Sequence, residues 1–147
     1  MTITVRPLTP ADRAQWDRLW AGYRDFYHAV IPDHTSDVTW ARFHDPAEPM
    51  WAFGAFDGER MLGIVHMLAH RSTWTEGDYV YLQDLFTDEA ERGKGVGRAL
   101  IERVYAEGRG LGAARVYWLT HETNTQAMLL YDRIADRSGF IQYRTIF

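Results

Sequence analysis

The chain contains no cysteine. That excludes disulfides, thiolate metal sites and a cysteine nucleophile, and it is compatible with a cytoplasmic protein. No apolar run approaches the roughly 18 residues needed to span a membrane, and the N-terminus carries no signal-peptide pattern. An excess of positive charge is also missing. The net charge is −4, which argues against general affinity for nucleic acid and leaves room for a cationic substrate. Internal repeats, linkers and low-complexity segments are absent, so the 147 residues are expected to form one domain, 1–147, with a real core. A hydrophobic fraction of 46% against 24% charged fits a globular protein. Aromatic residues are plentiful at 14%, six of them Trp, and they need an account.

The most informative stretch is Arg92-Gly93-Lys94-Gly95-Val96-Gly97. Tyr79 to Phe86 before it, rich in aromatic and branched residues, reads as a buried strand. After it, Val96, Leu100, Ile101 and Val104 recur on one helical face. Strand, glycine-rich turn and helix follow one another. Glycines permit a tight turn and close approach to peptide N–H groups, and the start of the helix adds its positive dipole end. Arg92, Lys94 and Arg98 add charge at the same place, so a phosphate-bearing ligand is expected. A Walker A loop fits poorly, because Gly95 follows Lys94 where a hydroxyl should bind magnesium. A dinucleotide fingerprint also fits poorly, since the glycines read G-x-G-x-G and lie late in the chain. The bland alternative is a glycine-rich turn with a solvated basic rim.

The remaining elements fall in a simple order. Thr2 to Arg6 alternates as a strand, and Thr9-Pro10 opens a helix. Trp16, Leu19, Trp20, Tyr23, Phe26 and Tyr27 form its apolar stripe. Trp16, Leu19 and Tyr23 are expected in the core, whereas Phe26 and Tyr27 at the far end could line a pocket. A short helix is predicted over 37–44. Strands are predicted over 50–56 and 61–70, joined at Asp57-Gly58, over 115–119 and over 140–147, with a helix over 124–135.

The glycine stretch resembles the acyl-coenzyme A pyrophosphate loop, Q/R-x-x-G-x-G/A, of the GNAT N-acetyltransferase superfamily, with Arg92, Gly95 and Gly97 at its defined positions. Asn124-x-x-Ala127-x-x-x-Tyr131 resembles that family's second signature. The string from Trp16 to Tyr27, with Met50-Trp51-Ala52, Thr73-Trp74 and Val116-Tyr117-Trp118, is similar to the small yeast-type members described as acting on histone tails, polyamines or D-amino acids. Glu89 stands where the family often has proline.

The resemblance implies an α/β (α+β) GNAT fold: a mixed, mostly antiparallel twisted sheet of about six to seven strands flanked by about four helices. It implies acetyl-CoA as co-substrate, a small-molecule or peptide-borne primary amine as acceptor, and a homodimer or higher homo-oligomer. Backbone groups of Leu85, Phe86 and Thr87 would pair with the pantetheine arm, and amides from Gly93 through Lys94, Gly95, Val96 and Gly97 to Arg98 would take the pyrophosphate. Asn124 would steady the cofactor and Tyr131 would give a proton to the leaving thiolate. The segment from Tyr131 to Gly139-Phe140 is longer than is common in the family, so the helix or its exit should carry an extra turn.

Without a cysteine, direct attack of the amine on the thioester is the simplest mechanism. Asp84 could serve as base or bind a cationic acceptor, and Glu122 is the second candidate. Phe26, Tyr27 and Trp74 are candidate acceptor contacts, since aromatic faces hold amines; core packing or a subunit interface is the competing use of those rings. His121 is expected to be structural. His66 and His70 share a strand face without helical metal-ligand spacing, so no metal is expected. Two other readings stand beside the enzyme: a non-catalytic acyl-CoA sensor or interaction module, which would need no Tyr131, and a nucleotide-binding protein, which the missing hydroxyl after Lys94 disfavours.

Overall fold

The computed structural model describes all residues, Met1–Phe147. Five strands form one sheet in the order β1-β2-β3-β4-β5: Thr4–Pro7, Met50–Asp57, Arg60–His70, Tyr79–Thr87 and Arg115–Tyr117. The first four run antiparallel to their neighbours, and β5 lies parallel to β4. Four helices cover the sheet: α1 Arg13–Tyr27, α2 Asp33–Phe43, α3 Val96–Gly110 and α4 Thr125–Ile134. None is long and apolar enough to cross a membrane.

The sheet buries both faces, so the chain has two cores. On one side α3 lays Val96, Leu100, Ile101 and Val104 onto Phe53, Val65, Met67, Val80 and Leu82. Their spacing of three and four residues is what puts all four on a single stripe. On the other side α1 and α2 bring Trp16, Leu19, Trp20 and Trp40 onto Ala52, Phe56, Met61 and Ile64. Gly22 lets α1 settle close to β4: a Cβ there would come within 2.8 Å of the Phe86 ring. The buried Trp20 indole donates to the Ser36 hydroxyl at 3.0 Å and ties α1 to α2.

One irregularity sets up the site. From His70↔Tyr79 to Met67↔Leu82 the β3–β4 register is regular, and then Gln83 is skipped so that His66 faces Asp84. The extra residue resets the alternation of β4. Before it, Val80 and Leu82 point to the α3 core. After it, Asp84 and Phe86 point to the α1 side, with Asp84 against His66 and Phe86 in the Trp16 core.

Four expectations change. The sheet has five strands, not six to seven. Residues 140–147 are not a strand of it: they run without sheet pairing, and Phe140, Ile141, Tyr143, Ile146 and Phe147 are all exposed. Their alternating pattern is strand-like, but a strand exists only on an edge that receives it, and this chain seats them on none. The segment expected at 115–119 as a buried strand is limited to Arg115–Tyr117 and is only half-buried. The helix expected over 37–44 begins earlier, at Asp33, where Pro32 precedes its first turn. The extra length after Tyr131 goes into the exit: α4 stops at Ile134, and Arg137 turns back onto Asp132 at 3.1 Å.

Candidate active site

The turn between β4 and α3 is built from its flanks inward. Asp88 accepts the Ala90 N–H and pairs with Arg18 of α1 at 2.8 Å, which holds its carboxyl below the usual carboxylate range. A single 3₁₀ turn over Glu89–Glu91 follows. Glu91 is buried between Arg60 and Lys94, at 3.1 and 2.9 Å. Gly93 and Gly95 then take φ of +78° and +87°, in the left-handed region that residues with a Cβ avoid. The Ala99 N–H is the one that returns to Gly95 O, at 3.1 Å. The amides before it, at the start of α3, have no preceding turn of helix to bond to and lie at its positive end. The three cations are arranged unequally. Lys94 is tied to Glu91 and Arg98 to Glu102, whereas the Arg92 guanidinium lies over Phe26 and Phe86, at 5.1 and 5.6 Å.

A cleft continues from this loop. β5 pairs with β4 only through Tyr79, Val80 and Tyr81. From Leu82 to Thr87, β4 has β3 on one edge and no strand on the other. Outward backbone groups along Leu85, Phe86 and Thr87 are therefore able to receive an extended ligand as an added strand.

α4 faces that edge. Asn124 stands at its N-terminal boundary, with its amide 3.5 Å from the Thr120 hydroxyl. Tyr131 follows after nearly two turns and packs edge-on against Trp118, with centroids 5.4 Å apart. Burial, and then the neighbouring Tyr27, push the Tyr131 phenol up to about 12, so it carries its proton at neutral pH. A cavity of about 870 Å³ between β5, α4 and the C-terminal segment reaches Tyr131, Tyr81, Tyr117 and Trp118.

Asp84 occupies the other wall. Its Oδ2 accepts from His66 Nδ1 at 2.9 Å, and its side chain is 12% exposed. A column of rings leads out of the core toward it along α1: Trp16 on Trp20 at 5.6 Å, Trp20 on Tyr23 at 4.8 Å, and Tyr23 on Tyr27 at 4.7 Å. Burial raises Tyr23, Tyr27 and Tyr81 above the ordinary phenol range, and the Asp84 charge raises each further. Three protonated phenols thus surround one carboxylate. Tyr27 is the tyrosine whose phenol interacts electrostatically with both Asp84 and Tyr131.

The structure sorts the remaining sequence candidates. Phe26 and Tyr27 end α1 at 48% and 40% exposure, open to a ligand entering beside Arg92. Trp74 is 72% exposed and lies near Phe140 and Arg115 rather than on the Asp84 wall. Glu122 is exposed in the turn before α4, where His121 shares a hydrogen bond with Thr123. His70 reaches the Tyr117 hydroxyl at 2.7 Å, whereas His66 is buried against Asp84. Sequence reasoning missed His66 and treated Trp16 and Tyr23 as packing. The usable signal was a buried-strand histidine facing an Asp-bearing strand.

Comparison with known proteins agrees with this geometry. The model of the acetyltransferase (GNAT) family matches residues 16–135. The chain is 39% identical over 144 residues to the D-amino-acid N-acetyltransferase HPA3 of Saccharomyces cerevisiae, covering 97% of this chain and 89% of that one. Among solved structures, a transcriptional regulator from Bacillus halodurans superposes with a TM-score of 0.84 at 16% identity, over 99% of this chain and 100% of that one. A ribosomal-protein-alanine N-acetyltransferase from Brucella melitensis gives 0.78 at 18% identity over the whole of both chains. At such identities these two speak for the fold alone.

Proposed function

The chain belongs to the acetyltransferase (GNAT) family, and from that premise we propose that it moves an acetyl group from acetyl-CoA to a primary amine by direct attack in a ternary complex. The observation that carries this reading is the free edge of β4 over Leu85–Thr87, which runs into the turn with left-handed Gly93 and Gly95 at the start of α3.

The residues present suit the co-substrate. Amides at the start of α3 and the left-handed Gly93 and Gly95 suit a diphosphate, and the open edge of Leu85–Thr87 suits a pantetheine arm. Acetyl-CoA would supply an acetyl thioester, an acyl group activated toward attack. Asp84 binds the incoming ammonium and accepts its proton, which frees the nitrogen lone pair. Tyr131 would offer its phenol to the leaving sulfur. With the phenol at about 12 against about 8.5 for a free thiol, full transfer is uphill, so the hydroxyl would stabilise the thiolate by hydrogen bonding, and the thiolate would take up, through solvent, the second proton that the nitrogen sheds on becoming an amide. Phe26 and Tyr27 give the acceptor's carbon skeleton an aromatic wall.

A largely buried carboxylate near exposed aromatic rings favours a small primary amine, with D-amino acids first on the panel because of the yeast relative. Acetyl-CoA consumption measured against amino acids of both hands, polyamines and histone-tail peptides tests this. Turnover with one class supports it, and uptake of coenzyme A without turnover on any amine would make the chain an acyl-CoA-binding module instead.

A second copy of the chain is the partner this reading favours. Residues 140–147 alternate like a strand and expose Phe140, Ile141, Tyr143, Ile146 and Phe147, and β5 has one edge without a neighbour. Mutual exchange of these segments would cover apolar surface that one chain leaves to water.

A further inference from the structure

The buried polar group that this mechanism leaves unused is His66. Its side chain is 2% exposed, and both ring nitrogens are engaged. Trp16 Nε1 lies 2.9 Å from His66 Nε2, and His66 Nδ1 lies 2.9 Å from Asp84 Oδ2. An indole nitrogen is only ever a donor, so Nε2 must accept and be bare. The remaining ring proton of a neutral imidazole is then on Nδ1, where the carboxylate accepts it. An imidazolium here would set two N–H donors head to head. Trp20 and Phe43 close over the ring, at 5.0 and 4.7 Å.

The geometry points to Trp16 and His66 as positioning residues for Asp84: the indole N–H fixes His66 as the Nδ1–H tautomer, and that N–H holds one carboxylate oxygen so that the other faces the acceptor amine. This inference rests on Asp84 as the proton acceptor. It assigns the buried indole a task that packing alone would not need. It also explains why an aspartate rather than a histidine meets the substrate, since His66 has no free nitrogen with which to take a proton.

The groups facing Asp84 from the surrounding elements are Tyr23 and Tyr27 on α1, Tyr81 on its own strand, and Arg92, which acts on Tyr27 from the loop. From α2 it is Phe43, without charge, that meets the imidazole. Trp16→Phe removes the indole N–H and keeps most of the ring volume. His66 Nε2 then has no donor to keep it bare, so the ring proton is free to move from Nδ1 to Nε2 and the hold on Asp84 is lost.

Three measurements test the inference. Long-range ¹H–¹⁵N correlation spectra of the wild-type protein labelled on histidine should show His66 with a protonated Nδ1 and a bare Nε2, the minor tautomer of free histidine. An Nε2–H pattern overturns the inference without any variant. In Trp16→Phe the same spectra should show an Nε2–H population at His66, and kcat should fall by about tenfold with KM for acetyl-CoA unchanged. A variant that keeps the pure Nδ1–H form, or keeps wild-type kcat, overturns it. His66→Asn, which offers an amide N–H near the Nδ1 position and cannot ionise, should keep more kcat than His66→Leu with KM for acetyl-CoA unchanged in both; equal losses overturn it. Asp84→Asn separates the two claims. Full activity in that variant refutes the base assignment, whereas an inactive Asp84→Asn beside a fully active Trp16→Phe refutes the positioning role alone.

Discussion

His66 and Asp84 stand opposite one another across the β3–β4 pair, Nδ1 to Oδ2 at 2.9 Å, because Gln83 is passed over in the register. A strand without that bulge would put Gln83 opposite His66 and turn Asp84 toward the apolar residues under α3. The carboxylate, its donor and the ring column of α1 meet for that reason.

Asp84→Asn keeps the size of the side chain and removes its ability to take a proton. It should lower kcat/KM by about 10²–10⁴, as loss of a general base does. Steady-state assays across pH read this directly. Activity equal to wild type at every pH clears Asp84 of the role.

Tyr131→Phe removes one hydroxyl and leaves the ring on Trp118. Turnover should fall by about 10- to 100-fold, the range of a hydrogen bond to a developing charge of about 1.5–3 kcal/mol. Coenzyme A affinity measured by calorimetry should change by less than about twofold. A matched loss of affinity would make Tyr131 a binding residue.

Gly95→Ala puts a methyl group on a residue at φ +87°, where nothing lies within 4 Å of the new carbon. The cost is therefore conformational, about 1–2 kcal/mol. Coenzyme A should bind about tenfold more weakly. Gly110→Ala, inside α3 at a position equally open but outside the left-handed region, should leave affinity unchanged.

Stability in acid should report the Arg6–Asp12 pair. Arg6 above all holds the Asp12 carboxyl down at about 2, with the Thr9 amide assisting and burial opposing. A carboxyl lowered on folding stabilises the fold above its unfolded value of about 4 and loses that contribution as pH falls toward about 2. Arg6 is 42% exposed, so the pair is worth about 1 kcal/mol rather than the full shift. Asp12→Asn should thus lower Tm by about 3 °C at neutral pH and by less than about 1 °C near pH 2, read by thermal melts.

Removing residues 140–147 should convert an oligomer to a monomer by light scattering, at little cost in Tm, because these side chains are exposed within one chain. An unchanged mass would show that the segment holds no second copy.

Much of this was legible before any coordinates. The four α3 residues at helical spacing, the glycines of the turn and the Asn124–Tyr131 interval are local signals, and each needs only its own segment to be read. The His66–Asp84 pair was not legible, because it depends on a single skipped residue in a register shared by two strands. Nor was the division of labour among the cations: the pairing of Lys94 with Glu91 and of Arg98 with Glu102 comes from neighbours one turn away that also read as solvated surface. Residues 140–147 show the reverse error. Their alternating pattern reads as a strand, but whether it forms one is decided by an edge elsewhere, and here it forms none.

The stacked indoles of Trp16 and Trp20 have an optical consequence. Rings held rigidly in an asymmetric core give near-ultraviolet circular dichroism that is lost when packing loosens, and these two, 5.6 Å apart, should contribute to it. Because Trp16 is also bonded to the imidazole beside Asp84, the part of that signal lost in Trp16→Phe should report on the packing behind the acceptor wall.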